Sequence, residues 1–222
     1  MRRSQSWLPA LALACALWAT RLSGQPEAPA PRLVTLSIVG TTDLHGFVFP
    51  RNGRGGLALL AGFLKNLRAA READGGAVLL LDAGDTFQGG IESNLSEGAL
   101  VVDAFNAMGY AAAAIGNHDF DFGPVDASGA RQMLGSDPRG ALKARAAQAK
   151  YPFLAANLID DLTDRPVDWP NVRPSAIVDA AGVKGGIVGV MTIDALRATL
   201  PVIVHGLQVA PLAPTIVAEA SK

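Results

Sequence analysis

The chain has 222 residues, half of them apolar, with 19 basic against 20 acidic side chains. This is the composition of a globular protein, long enough for a domain that buries roughly 70% of the surface its unfolded chain exposes. The near-neutral charge, with no basic cluster beyond Arg2-Arg3, leaves no electrostatic footprint for nucleic acid. A single cysteine excludes both a disulfide framework and a cysteine-based zinc site. Metal chemistry, if any, must rest on oxygen and imidazole ligands.

Residues 1–24 (MRRSQSWLPALALACALWATRLSG) combine a basic start, an apolar run from Trp7 to Ala19 and a small-residue exit, the pattern of a secretory signal peptide. That run of 13 residues is too short to span a bilayer. Cys15 lies inside the run, followed by Leu17 and Trp18, and not at its end where lipidation needs it. Cleavage near Gly24 therefore predicts an exported, periplasmic or secreted chain with no cysteine and no membrane association. It retains 16 basic and 20 acidic residues, a net charge of −4. Residues 25–32 (QPEAPAPR) read as a Pro/Ala linker, and residues 33–222 as the folded portion.

Leu33–Val39 is an apolar strand that runs into GTTDLHG. Gly56–Glu72 places Leu57, Leu60, Phe63, Leu64 and Leu67 on one helix face. Ala77–Leu81 is a second buried strand ending in DAGD, and Leu100–Met108 is a helix stopped by Gly109. Ala111–Ile115, a third strand, ends in GNHD. Alternation of buried strands with helices predicts right-handed βαβ units and a parallel sheet. A polar loop over residues 126–140, a helix over Ala141–Lys150 and a fourth strand over Phe153–Ile159 follow. Ser175–Ala180 and Gly185–Thr192 form a hairpin across AGVK, and a helix begins after Pro214.

Three polar clusters fall just past the ends of three successive strands: Asp43-Leu44-His45, Gly84-Asp85 and Gly116-Asn117-His118-Asp119. In open α/β sheets that edge is where ligands bind. At an extended strand end, residues two apart point the same way, so Asp43 and His45 are expected to share one site. The spacings, 42 residues from Asp43 to Asp85 and 32 on to Asn117, each accommodate one helical crossover. Carboxylate, imidazole and carboxamide oxygen without thiolate suit Mn, Zn or Fe, and Asp85 is placed to bridge two such ions. Each cluster alone has an ordinary reading as a turn or a cap; the three together, in order, at strand ends, do not. His205, without acidic or histidine neighbours, and Asp82 and Asp103, at a sheet edge and on a helix face, read as structural. Glycines 84, 89, 90 and 116 are expected to let backbone approach metal and phosphate.

The blocks TTDLHG, LLLDAGDTFQGG and AIGNHDFDFG resemble the first three of the calcineurin-like metallophosphoesterases. The GG-helix between the first two and YPFLAANL after the third resemble the 5′-nucleotidase/2′,3′-cyclic phosphodiesterase branch. The resemblance implies an α/β fold, a two-sheet sandwich flanked by helices, with two divalent ions at the strand ends. Asp43 and His45 would hold the first ion, Asp85 both, and Asn117 the second. His118 would act on the transferring phosphoryl group and the leaving oxygen, oriented by Asp121 or, as second choice, Asp119. Metal-bound hydroxide would attack phosphorus in a small phosphoester, of nucleotide type. The family completes its site with a further histidine and a Gly-His-x-His block, neither of which occurs before Lys222. The resemblance thus implies an amino-terminal portion, nearly inactive alone. The competing reading is a non-catalytic exported protein that keeps part of the fold as a binding module; the coding sequence after Lys222 separates the two.

Overall fold

The structure, a computed structural model, describes residues 33–125 and 135–222; the leader, the linker and most of the polar loop lie outside the described residues. Strands β1 (Leu36–Thr41), β2 (Ala77–Asp82), β3 (Ala112–Ala114), β4 (Phe153–Leu154) and β7 (Val172–Arg173) form one parallel sheet in that order. The register sets Leu36 against Ala77 and Thr41 against Asp82, so β1 and β2 end level and the loops beyond them emerge side by side.

Helices α1 (Leu57–Ala73), α2 (Ile91–Asn94), α3 (Ala99–Met108) and α4 (Gly140–Gln148) follow the strands. The apolar stripes of α1, α3 and α4 contribute Leu64, Val101, Val102, Phe105, Leu142 and Ala146 to one core with Leu80 and Phe153 of the sheet and Ile115 just past β3. At roughly 25 cal/mol per Å² of apolar surface, this burial is the main stabilising term. Gly109, at φ 71, ends α3 in the left-handed conformation that a side chain resists. Phe105 and Tyr110 stack at 3.7 Å, and Tyr151 lies 6.2 and 6.1 Å from the two rings.

The rest of the chain builds smaller layers. Strands β5 (Leu158–Asp160), β6 (Arg165–Pro166) and β10 (Leu207–Val209) make an antiparallel sheet, and β8 (Ser175–Ala180) pairs with β9 (Val183–Val188) as a hairpin. The end of β9 packs on the parallel sheet at β4, where Gly189 passes so close that a Cβ would lie 2.2 Å from Leu154 Cβ. Two short helices, α5 (Pro201–Val204) and α6 (Leu212–Ala220), complete the chain. No helix among the described residues is long and apolar enough to cross a membrane.

Three expectations change. The single strand over Phe153–Ile159 is two strands in different sheets. Buried Asn157 makes the break: its Nδ2 donates to the carbonyls of Met191 (2.8 Å) and Ala210 (3.0 Å), and its Oδ1 accepts the Met191 N–H. The hairpin turns tightly at Ala181-Gly182, so β9 starts at Val183. The last helix begins at Leu212, with Pro214 in its first turn, where the missing N–H has no helical partner to lose.

Candidate metal centre

The three polar clusters converge where β1, β2 and β3 end. His45, Asp85 and His118 each bring one donor atom within 4.8 Å of the others, and the two imidazole rings lie 5.0 Å apart, edge to face.

The loops that carry them are bound to one another through backbone. The Asp43 N–H donates to the Gly84 carbonyl (3.1 Å), the His45 N–H to Asp85 (2.9 Å) and the Gly46 N–H to Thr86 (2.9 Å). This prolongs the β1–β2 ladder past both strands. Asp43, His45 and Asp85 all have left-handed backbone, at φ 50, 48 and 55. Such residues cost on the order of 1–3 kcal/mol each and persist only where the surroundings impose them. The third loop closes on the second through two glycines. Gly84, at φ 98, lies so close to Gly116 that a Cβ would stand 2.6 Å from its nitrogen, and a Cβ on Gly116 would stand 2.2 Å from Asp85 Oδ1. Glycines 84, 89, 90 and 116 let loop meet loop, with Gly89 and Gly90 against the backbone of His45 and Gly46.

Hydrogen bonds fix each imidazole. His45 Nδ1–H donates to the Gln88 carbonyl at 2.9 Å, so Nε2 carries the lone pair of the neutral ring. His118 Nδ1–H donates to Asp121 Oδ2 at 2.7 Å, and this bond raises the His118 pKa above its ordinary value against a smaller opposing effect of burial. Asp85 Oδ1 accepts the His118 N–H at 2.8 Å, which ties the second loop to the third.

Of the two carboxylates left open by the sequence, Asp121 is the one on the imidazole. Asp119 is committed elsewhere: buried, its oxygens accept the N–H groups of Gly116 (2.9 Å), Thr86 (2.8 Å) and Asp85 (3.2 Å). Burial pushes its carboxyl up to about 7 in spite of those three donors. Asp119 is a knot between two loops.

Asp43 stands outside the 4.8 Å cluster. It is exposed, and its carboxylate accepts a hydrogen bond from Thr42 Oγ1. The strand-alternation argument for pairing it with His45 does not hold, because β1 ends at Thr41 and both residues are left-handed. Asn117 is half-buried on the third loop, where its carbonyl accepts the hydroxyl of buried Thr199 at 3.3 Å. His205 is exposed at the end of α5 and its carbonyl accepts Arg139 Nη2, away from the cluster. Asp103 accepts Gln148 Nε2 at 2.7 Å between helices. Sequence reasoning missed Gln88 and Thr199; both act through a carbonyl or a hydroxyl far along the chain, which leaves no local pattern.

The imidazole nitrogen of His45 and the carboxylate of Asp85, with no thiolate and with the His118 ring beside them, make a donor set that fits Mn, Zn or Fe. Strained backbone, oriented imidazoles and a buried carboxylate beneath them are features of a built site. The family comparison agrees: the model of the calcineurin-like phosphoesterases matches residues 36–206, and the chain belongs to that family. Among curated relatives, it is similar to the 5′-nucleotidase of Vibrio cholerae, with 31% identity over 192 residues, 84% of this chain and 31% of that protein. It is likewise similar to protein UshA of Escherichia coli, with 31% identity over 73% of this chain and 26% of that protein. The chain therefore spans about three-tenths of the length of these relatives. Among solved structures, the 5′-nucleotidase precursor of Thermus thermophilus matches with a TM-score of 0.64 and 25% identity over 84% of this chain and 34% of its own. The sulfate thiohydrolase SoxB of the same organism shares the fold, with a TM-score of 0.67 at 18% identity over 87% of this chain and 43% of its own.

Proposed function

We propose that this chain carries the metal-binding face of an exported phosphoesterase that hydrolyses small phosphate esters of the nucleotide class with two divalent ions. The observation that carries the reading is the cluster of His45, Asp85 and His118 within 4.8 Å, both imidazoles anchored through Nδ1, which leaves Nε2 of His45 for an ion and Nε2 of His118 for the phosphoryl group. Asp43 and His45 would hold one ion, Asn117 the other, with Asp85 between. When bound, such ions polarise phosphoryl oxygens and lower the pKa of water.

The chain's own residues do the rest. His118, with its pKa raised by Asp121, keeps a proton available at Nε2 for the leaving oxygen and places positive charge beside the phosphoryl group. Asp121 keeps the other ring proton on Nδ1, so that the second proton of the imidazolium sits on Nε2. Asp119 fixes the loop of Asp85 against that of His118, so that ligand and acid keep their spacing. The leader supports export, and N-terminal sequencing of exported material tests it: a start near Gln25 is expected, and an intact Met1 in the cytoplasm overturns it.

Titration of the 222-residue chain with Mn²⁺ or Zn²⁺, together with hydrolysis of an aryl phosphate, tests the centre. The assigned ligands, Asp43, His45, Asp85 and Asn117, would offer four side chains with two negative charges to two ions carrying four positive ones. Binding of clearly less than two equivalents and turnover barely above background are expected. Two tightly held ions with robust turnover would mean a ligand set other than the one assigned, and no metal binding at all would overturn the reading.

A further inference from the structure

Beneath the metal centre lies one buried ionisable group that the proposed chemistry leaves unused. Asp82, the last residue of β2, is 5% exposed and faces none of the candidate ligands through a hydrogen bond. Both of its oxygens are committed. Oδ1 accepts the Gly84 N–H at 2.9 Å and the Thr86 hydroxyl at 2.8 Å, and Oδ2 accepts the Thr41 hydroxyl at 2.6 Å. Thr41 Oγ1, having given its proton to Asp82, accepts from Tyr110 Oη at 2.9 Å. Tyr110 is in turn stacked on Phe105 in the core at 3.7 Å. The result is a directed chain, Tyr110 to Thr41 to Asp82, in which each bond polarises the next.

Its partners explain its place. Gly84 and Thr86 flank Asp85, and Thr41 is the last strand residue before Asp43 and His45. One carboxylate thus grips the backbone before Asp85 and the side chain after it, and also the strand end that feeds the other ligand loop. Asp85 must be held at φ 55 against a left-handed penalty, and charge-assisted bonds are the strongest local means of doing so. An ordinary turn after a strand does not require a buried carboxylate, whose desolvation is unfavourable.

We propose that Asp82 is a positioning residue for the metal centre: with Thr41, Thr86 and Tyr110, it sets the backbone of Asp85 and the spacing between the β1 and β2 loops. This rests on the reading of the cluster as a metal site. Mn²⁺ titration of the 222-residue chain, thermal unfolding and metal-free amide exchange test it together. Asp82→Ala should lower Mn²⁺ affinity by roughly 10–100-fold, the usual effect of losing the support behind a ligand. Asp82→Asn keeps an acceptor for Gly84 and Thr86 and offers Nδ2–H to Thr41, and should rescue affinity to within a few-fold. Thr86→Val, which removes one bond at constant volume, should weaken binding several-fold, and without metal it should speed amide exchange at residues 84–86 and 43–45 ahead of the core. If Asp82→Ala does not fold, Thr86→Val decides. Unchanged Mn²⁺ affinity in folded variants, or exchange accelerated evenly over the sheet, would overturn the proposal. A wild-type chain that binds no Mn²⁺ would instead overturn the metal-site reading, while the exchange pattern still tests whether Asp82 holds the loops.

Discussion

The ligand loops and the tip of the β8–β9 hairpin share a backbone conformation and differ in everything around it. Asp43, His45 and Asp85 have φ of 50, 48 and 55, and Ala181, in the hairpin turn, has φ 53. In the ligand loops the strain is imposed. Each of the three N–H groups is held by another loop, by the Gly84 and Asp85 carbonyls and by the Asp119 carboxylate at 3.1, 2.9 and 3.2 Å. At the hairpin tip, Ala181 is exposed and its turn is supported by the Gly182 N–H donating to Asp179 Oδ1 at 2.9 Å. A left-handed side chain can thus be imposed by contacts from other loops, as in the proposed ligand loops, or required by a two-residue loop between paired strands, as at the hairpin tip.

The largest effects should come from breaking the held loops. Asp85→Asn should lower Mn²⁺ affinity by about 100-fold, since it removes the charge that the proposed centre sets between its ions while keeping an acceptor for the His118 N–H. Calorimetry checks this, and a variant that binds like wild type would remove Asp85 from the ligand set. His118→Asn should behave differently: in any form with measurable turnover, the rate should fall roughly 10²–10⁴-fold with metal content nearly intact. Loss of metal with turnover per bound ion preserved would make His118 a ligand, as its place in the 4.8 Å cluster also permits.

The knot at Asp119 offers a pH test. Its folded carboxyl is raised from 3.8 to about 7 by burial. A raised folded pKa contributes stability that is fully present below 3.8 and is lost as pH rises through about 7. The metal-free wild type should therefore lose part of its advantage over Asp119→Asn between those limits, by roughly 2–4 kcal/mol at about 1.4 kcal/mol per pKa unit. Denaturant unfolding of both proteins across that range measures it; a constant difference would mean that Asp119 stays ionised throughout. A smaller effect concerns His118, whose titration by NMR in the metal-free protein should have its midpoint above 6.5 and move down in Asp121→Asn.

How much of this was legible in the sequence depended on the range of the interaction. The βαβ order, the parallel sheet and the three polar edges could be read because periodicity and strand-end position are local properties. The orienting carboxylate was left open between Asp119 and Asp121 because both lie within three residues of His118; only the 3₁₀ turn at His118–Phe120 decides which one reaches Nδ1. Strand alternation would pair Asp43 with His45, but it fails once two left-handed residues follow the strand. Gln88, Thr199 and the four-residue network on Asp82 were not legible, since their partners are set by the packing of distant loops. Strands β6 and β7 have two residues each, too few for any periodicity to register.

The hairpin tip supplies the smallest effect and the control for all the others. In the turn Ala181-Gly182, both residues have positive φ, 53 and 83, the geometry for which Asn-Gly is the favoured pair. Alanine at the first position bears a left-handed penalty with no side-chain hydrogen bond to offset it, whereas asparagine tolerates that region several-fold better. Ala181→Asn should therefore stabilise the chain by about 0.5–1 kcal/mol in denaturant unfolding and leave Mn²⁺ affinity unchanged. Asp43→Gly makes the parallel change in a ligand loop: it relieves the same backbone conformation at an exposed carboxylate, and should raise apo stability by a similar amount while weakening metal binding. If Asp43→Gly stabilised the fold and left metal binding intact, the left-handed geometry at residue 43 would be turn chemistry like that at 181, and the ligand role given to Asp43 would fall with it.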